Sequence, residues 1–168
     1  EMAGHVYDTL WAAGAPHSIA NAGYRAIDSC RMEKGYLYWS GDITPDYNPY
    51  EAGLGFCVAL DKGDFIGRDA LAKAKADGVK RKLCVFLLDE PVSVYGGEAI
   101  YAADGRVLGV SYSGGFGHTI GKNIGMALVD TAHSAVETEI TTHVVGVERK
   151  AKIIAPSPYD PSGARMRS

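Results

Sequence analysis

Two kinds of hydrophobic pattern divide the chain. Up to residue 78 the apolar positions recur at helical spacing or gather in turn-rich loops, and beyond it they form short strand-like runs. Val6, Leu10 and Ala13 recur at helical spacing over residues 3–13, with Tyr7 and Trp11 beside them. Gly14 stands where a left-handed residue closes a helix, ahead of Pro16. A second helix is predicted over residues 21–34. Asn21 is a good N-cap, Tyr24, Ile27 and Cys30 make an i, i+3 stripe, and Gly35 ends it. Residues 36–50 hold Tyr36, Tyr38, Trp39, Tyr47 and Tyr50 among Gly41, Asp42, Pro45 and Pro49; a loop so rich in rings packs on something or lines a site. Leu54, Phe56, Val58 and Leu60 alternate with smaller or polar residues, which predicts a strand over 54–60. A short helix is predicted over 68–77, closed by Gly78.

The second half reads differently. Lys80-Arg81-Lys82 is a polar hinge, and residues 83–88 are a continuous apolar run, as in a strand buried on both faces. Residues 99–102 and 107–112 flank the turn Ala103-Asp104-Gly105, and 136–145 and 147–154 flank Gly146, so two hairpins are predicted. Residues 124–129 add a further strand. Strands without an intervening helical period point to a small sandwich or barrel. Residues 156–168 carry three prolines and read as a polar tail. The fold class is therefore α+β.

Composition narrows the function classes. At 168 residues, 46% hydrophobic and 22% charged, the chain can bury a core. Its net charge of −3 lacks the basic excess of a phosphate-backbone binder, which sets nucleic acid aside. No apolar stretch approaches the roughly 20 residues that span a bilayer, so no membrane partner is expected. Cys30, Cys57 and Cys84 are odd in number and widely spaced, which argues against a disulfide framework and for a reducing compartment. The chain opens on Glu1-Met2-Ala3 and runs straight into a helical pattern, as expected of a piece of a longer polypeptide.

Motifs with a recognisable chemistry are few. The histidines (His5, His17, His118, His133, His143) show no metal-ligand spacing, and no GxSxG elbow occurs. The run from Gly114 to Gly121 has the glycine content of a phosphate cradle, but a strand rather than a helix follows, so a tight inter-strand loop is the better reading. Asp42, Asp46 and Glu51 could act as paired acids, yet Asp in a turn-forming loop usually bonds its own backbone.

Residues 23–35 read Gly-Tyr-Arg-Ala-Ile-Asp-Ser-Cys-Arg-Met-Glu-Lys-Gly. They are followed by Tyr-Trp-Ser-Gly-Asp-Ile-Thr-Pro, by Pro-Tyr-Glu-Ala-Gly-Leu-Gly-Phe, and by Asp64-Phe65-Ile66-Gly67-Arg68-Asp69-Ala70-Leu71. This series resembles the glycine-cleavage T-protein (aminomethyltransferase) family. Within it the run looks most like the C-terminal folate region of sarcosine and dimethylglycine dehydrogenases. The later Gly97-Glu98-Ala99-Ile100, Gly105-Arg106-Val107-Leu108-Gly109 and Ser113-Gly114-Gly115 fall in the matching order, and Pro156-Ser157-Pro158-Tyr159-Asp160-Pro161 looks nearer the sarcosine branch.

The resemblance implies a T-protein-like fold in which an antiparallel sheet with helices is followed by a small β-barrel. It gives residues 1–78 as the end of the folate-binding domain, 79–155 as the barrel and 156–168 as a tail. It implies tetrahydrofolate as acceptor of a one-carbon unit from an oxidised N-methyl amine, and FAD on a flavin domain outside this chain. That flavin domain and further T-protein-like domains are the expected partners. The expected compartment is the cytoplasm of a bacterium or the mitochondrial matrix of a eukaryote. The aromatic position that packs on folate is Phe56; a core strand residue is the competing reading. An Arg of the family pattern is replaced by Ile27, and Arg25 lies on another helix face. The family's catalytic Asp and pterin-anchoring Glu fall ahead of residue 1, while Asp28 and Glu33 read as packing and polar contacts. The isolated chain is thus expected to show neither dehydrogenase nor aminomethyl-transfer turnover. The rival class is a T-protein-like folate-binding or regulatory module without catalysis, and the sequence upstream of residue 1 would discriminate the two.

Overall fold

The structure, a computed structural model, describes residues 1–167. Three helices, α1 (Ala3–Gly14), α2 (Tyr24–Lys34) and α3 (Arg68–Asp77), precede six strands: β1 (Arg81–Leu88), β2 (Ala99–Tyr101), β3 (Val107–Gly117), β4 (Lys122–Asp130), β5 (Glu139–Val144) and β6 (Val147–Ile154). The strands close into an antiparallel barrel in the order β1-β4-β3-β2-β5-β6, with β1 pairing both β4 and β6. Closure leaves no free sheet edge.

The apolar run of β1 is buried on both faces, as its composition predicts. Cys84, Phe86 and Leu88 point into the barrel, among Ile100, Val129 and Ile153. Leu83 and Val85 point outward and are covered by the first half of the chain. Met32 of α2 packs on Val85, Ile124 and Met126, and Tyr47 of the aromatic loop and Ala52 just after it pack on Leu83 and Leu128. Inside the barrel, Phe86 faces Gly125 across the β1–β4 pair, and a Cβ at Gly125 would lie 2.1 Å from that ring. The β5–β6 hairpin turns at Val145 and Gly146, both at positive φ, which matches the right-handed strand twist.

Several local expectations are corrected. Helix α1 keeps Gly14 in the right-handed region, and the left-handed residue comes later, at Ser18. Helix α2 starts at Tyr24 after Gly23, not after Asn21, whose amide instead bonds the Tyr7 hydroxyl. The stripe of Tyr24, Ile27 and Cys30 faces out, while the buried residues of α2 are Arg31, Met32 and Glu33. Residues 54–60 form no strand. Leu54 closes a turn by donating its N–H to Pro49, and Gly55–Cys57 is a 3-10 turn. Leu54 meets the barrel while Phe56 points away. The glycine-rich run is not all loop: Gly114–Gly117 continue β3, where a Cβ at Gly114 would strike Val94, and only 118–121 turn.

The three thiols should differ sharply. Burial pushes the Cys84 thiol up to about 11, whereas Cys30 and Cys57 are exposed. Titration with a thiol reagent at pH 8 should therefore show two fast groups and one that reacts only on unfolding. Fast reaction of Cys84 in the native chain would contradict this packing.

Candidate functional site

Arg31 organises the region between α2 and the barrel. Its Nε donates to Asp28 Oδ1 at 2.7 Å, its Nη1 to Asp42 Oδ2 at 2.5 Å and to the Tyr36 carbonyl at 3.2 Å, and its Nη2 to Ser113 Oγ at 3.2 Å. The guanidinium also lies 4.1 Å from the Tyr38 ring centroid, a cation–π contact. Asp42 is fully buried; Oδ2 takes the Tyr38 N–H at 2.8 Å as well, and its carbonyl accepts the Tyr47 hydroxyl. Burial pushes the Tyr47 phenol up to about 12, so it remains a donor at any ordinary pH. These bonds wrap the aromatic loop around one buried charge pair.

Glu33 performs a second fastening. Its Oε1 accepts the N–H groups of Thr119 at 2.6 Å and Ile120 at 3.0 Å, and Ser29 Oγ donates to the Phe116 carbonyl at 2.7 Å. The β3–β4 turn is thus tied to α2, and Asp28 and Glu33 have the packing and polar roles expected of them. The acidic trio does not converge on an acid–base centre. Asp46 accepts from Thr44 at 2.9 Å, and Glu51 accepts the Asn48 N–H at 3.0 Å, as turn residues do. His118 is exposed, its ring in a T-shaped contact with Phe116. Among the described residues no group of three or more His, Cys, Asp and Glu could hold a metal ion.

A cleft of about 1050 Å³ opens between the aromatic loop, the 53–56 turn, the outer face of β1 and residues 156–167. Leu54, Leu83 and Val85 give it an apolar floor, and Tyr36, Tyr50 and Phe56 bring rings to it. Phe56 is 85% exposed, so in this chain it is not core. Lys82 and Arg167 supply cations, the Lys34 ammonium is held by Asp160, and no carboxylate is among the lining residues. Rings, an apolar floor and one sign of charge suit a flat ligand that carries anionic groups. Arg31, Lys34 and Asp160 were not singled out from the sequence. Apolar periodicity counts only hydrophobic residues and cannot flag a charged residue on the buried face of a helix.

Comparison with known proteins gives this arrangement a family. The model described as "GCVT N-terminal domain" matches residues 1–62, and "Glycine cleavage T-protein C-terminal barrel domain" matches residues 81–160. The chain is 39% identical to mouse (Mus musculus) sarcosine dehydrogenase, mitochondrial, over 96% of its own length and 18% of the relative's. It is 36% identical to human (Homo sapiens) dimethylglycine dehydrogenase, mitochondrial, over 89% of its length and 17% of the relative's. It is 40% identical to the aminomethyltransferase of Symbiobacterium thermophilum over 89% of its length and 40% of that protein. The crystal structure of aminomethyltransferase T of the glycine cleavage system from Bartonella henselae superposes with a TM-score of 0.84 at 25% identity, covering 95% of this chain and 44% of that one. The chain belongs to the glycine cleavage T-protein family, and it spans less than a fifth of the dehydrogenases it matches.

The two partners of Arg31 should differ in weight. Asp42 is fully buried, and removing it strands a buried cation, whereas the Asp28 side chain is 42% exposed. Asp42→Ala should cost about 3–5 kcal/mol and Asp28→Ala under about 1 kcal/mol in urea denaturation. Equal costs would contradict the assignment of Asp42 as the main partner.

Proposed function

We propose that this chain is the folate-facing end of an enzyme that hands a one-carbon unit from an oxidised N-methyl amine to tetrahydrofolate, of the sarcosine and dimethylglycine dehydrogenase type. The observation that carries the reading is the cleft beside Phe56, lined by rings and cations and by no carboxylate. Folate has a flat pterin and an anionic glutamate end, so these walls fit it. Bound folate supplies the nucleophilic nitrogens that take up the one-carbon unit.

The chain's own residues bind and orient. Phe56 offers a ring face at the mouth, and Tyr36 and Tyr50 bound the same space. Lys82 and Arg167 favour a carboxylate at the rim by Coulomb attraction. Leu54, Leu83 and Val85 exclude water from the floor. The catalytic Asp and the flavin are assigned to the part of the relatives that this chain does not span, with compartment following source: mitochondrial matrix or bacterial cytoplasm. The alternative, a folate-binding module without catalysis, uses the same cleft and predicts the same binding.

The test is a titration with 5-formyltetrahydrofolate. Phe56→Ala should weaken binding by about 1–3 kcal/mol, from lost ring contact and apolar burial. Stability should change by less than about 0.5 kcal/mol, because the ring is exposed. Undiminished folate affinity in the variant would refute the role of Phe56, and a wild-type chain that binds no folate would refute the folate reading.

A further inference from the structure

Residues 156–167 do not trail into solvent. Pro156 lays its carbonyl against Gly35, which is at φ +66, and a Cβ at that glycine would sit 1.9 Å from the carbonyl oxygen. Tyr159 donates its N–H to the Glu33 carbonyl at 3.0 Å, which takes one of the orphan carbonyls at the end of α2. Lys34 Nζ then reaches Asp160, bonding its carbonyl at 2.5 Å and its carboxylate Oδ2 at 3.4 Å. Both side chains of this pair are nearly buried, at 15% and 11% exposure. Asp160 itself stands at φ +45, an unusual conformation for a residue with a side chain. Its carboxylate turns the chain back by accepting the N–H groups of Ala164 at 2.9 Å and Arg165 at 3.3 Å. The returning segment ends with Met166 Sδ 3.4 Å from the Tyr36 hydroxyl.

The consequence lies in the cleft. Pro156, Ser157, Pro161, Ser162, Gly163 and Met166 line it together with Leu54 and Phe56 of the first half. Lys34 also lines the cleft, so the residue that holds the segment down sits at the ligand space.

We propose that residues 156–167 are a strap that completes the ligand cleft, and that Lys34 is the positioning residue that latches it through Asp160. The proposal rests on the folate reading for the identity of the ligand. Lys34 acts through the strap: with the latch made, the wall is already in place and binding need not order it. With the latch broken, the strap samples open forms and the ligand must close it. Linkage makes the effect reciprocal, so a bound ligand lowers the strap-opening equilibrium by the factor by which opening weakens ligand binding.

The experiment compares wild type, Lys34→Met and Lys34→Arg on the full chain, with Lys73→Met as a control for loss of a surface pair. Amide hydrogen exchange over residues 156–167 is measured with and without 5-formyltetrahydrofolate, alongside affinity for the same compound. Lys34→Met should exchange about tenfold faster in the strap while barrel strands keep their protection, and should bind about fivefold more weakly. Lys34→Arg should recover most of both, and Lys73→Met should change neither. Unchanged strap exchange in Lys34→Met would overturn the latch. Faster exchange with unchanged affinity would overturn the strap as part of the cleft. If wild type binds no folate, the folate reading fails and the exchange data alone still decide whether Lys34 holds the strap.

Discussion

A buried ion pair sets the shape of the first half of this molecule. Arg31 and Asp42 meet at 2.5 Å beneath the aromatic loop, and neither could be left there alone without a large desolvation penalty. The pair therefore does more than join two residues. It obliges the loop to return over α2, because only that path brings Asp42, the Tyr36 carbonyl and the Tyr38 amide to one guanidinium. Ser113 extends the constraint to β3. The outer face of β1 and β4 is thereby covered, and a strand that would otherwise show Leu83 and Val85 to water becomes buried on both sides.

The cleft follows from that arrangement. The loop that Asp42 fastens supplies Tyr36, Leu37 and Ile43, and the next turn supplies Leu54 and Phe56. The C-terminal end of α2, stopped by Gly35, supplies the platform on which residues 156–160 rest. The loop and turn that follow α2 and the distant segment 156–160 are thus brought to one space around a helix of eleven residues. The barrel contributes rigidity and a floor, and its closed sheet offers no edge to a stray strand.

The barrel was largely legible in the sequence. Its strands are short apolar runs flanked by turn signals such as Ala103-Asp104-Gly105 and Gly146, and such local chemistry specifies hairpins without help. The ends were less so, since β3 runs on through glycines that read as loop. In the first half, pattern misled where burial depends on polar partners. Tyr24, Ile27 and Cys30 have the spacing of a core stripe yet lie exposed, and Arg31 and Glu33 are buried because their hydrogen bonds are met by distant residues. Phe56 came from family resemblance, not from periodicity; the strand that alternation predicted around it is a turn, which leaves the ring at the cleft mouth. The strap was invisible, because a run with prolines and polar residues gives no sign of the helix end it will cover.

The cleft between the aromatic loop, the 53–56 turn and the strap is the ligand site we propose for this chain. The most direct measurement is a chemical-shift map of the isotope-labelled chain titrated with 5-formyltetrahydrofolate. Perturbations are expected to concentrate at Gly35, Tyr36, Gly53 to Phe56 and residues 161–167, with β5 and β6 unmoved. Perturbations confined to β5 and β6, or a saturable response that leaves Phe56 and the strap untouched, would contradict this assignment.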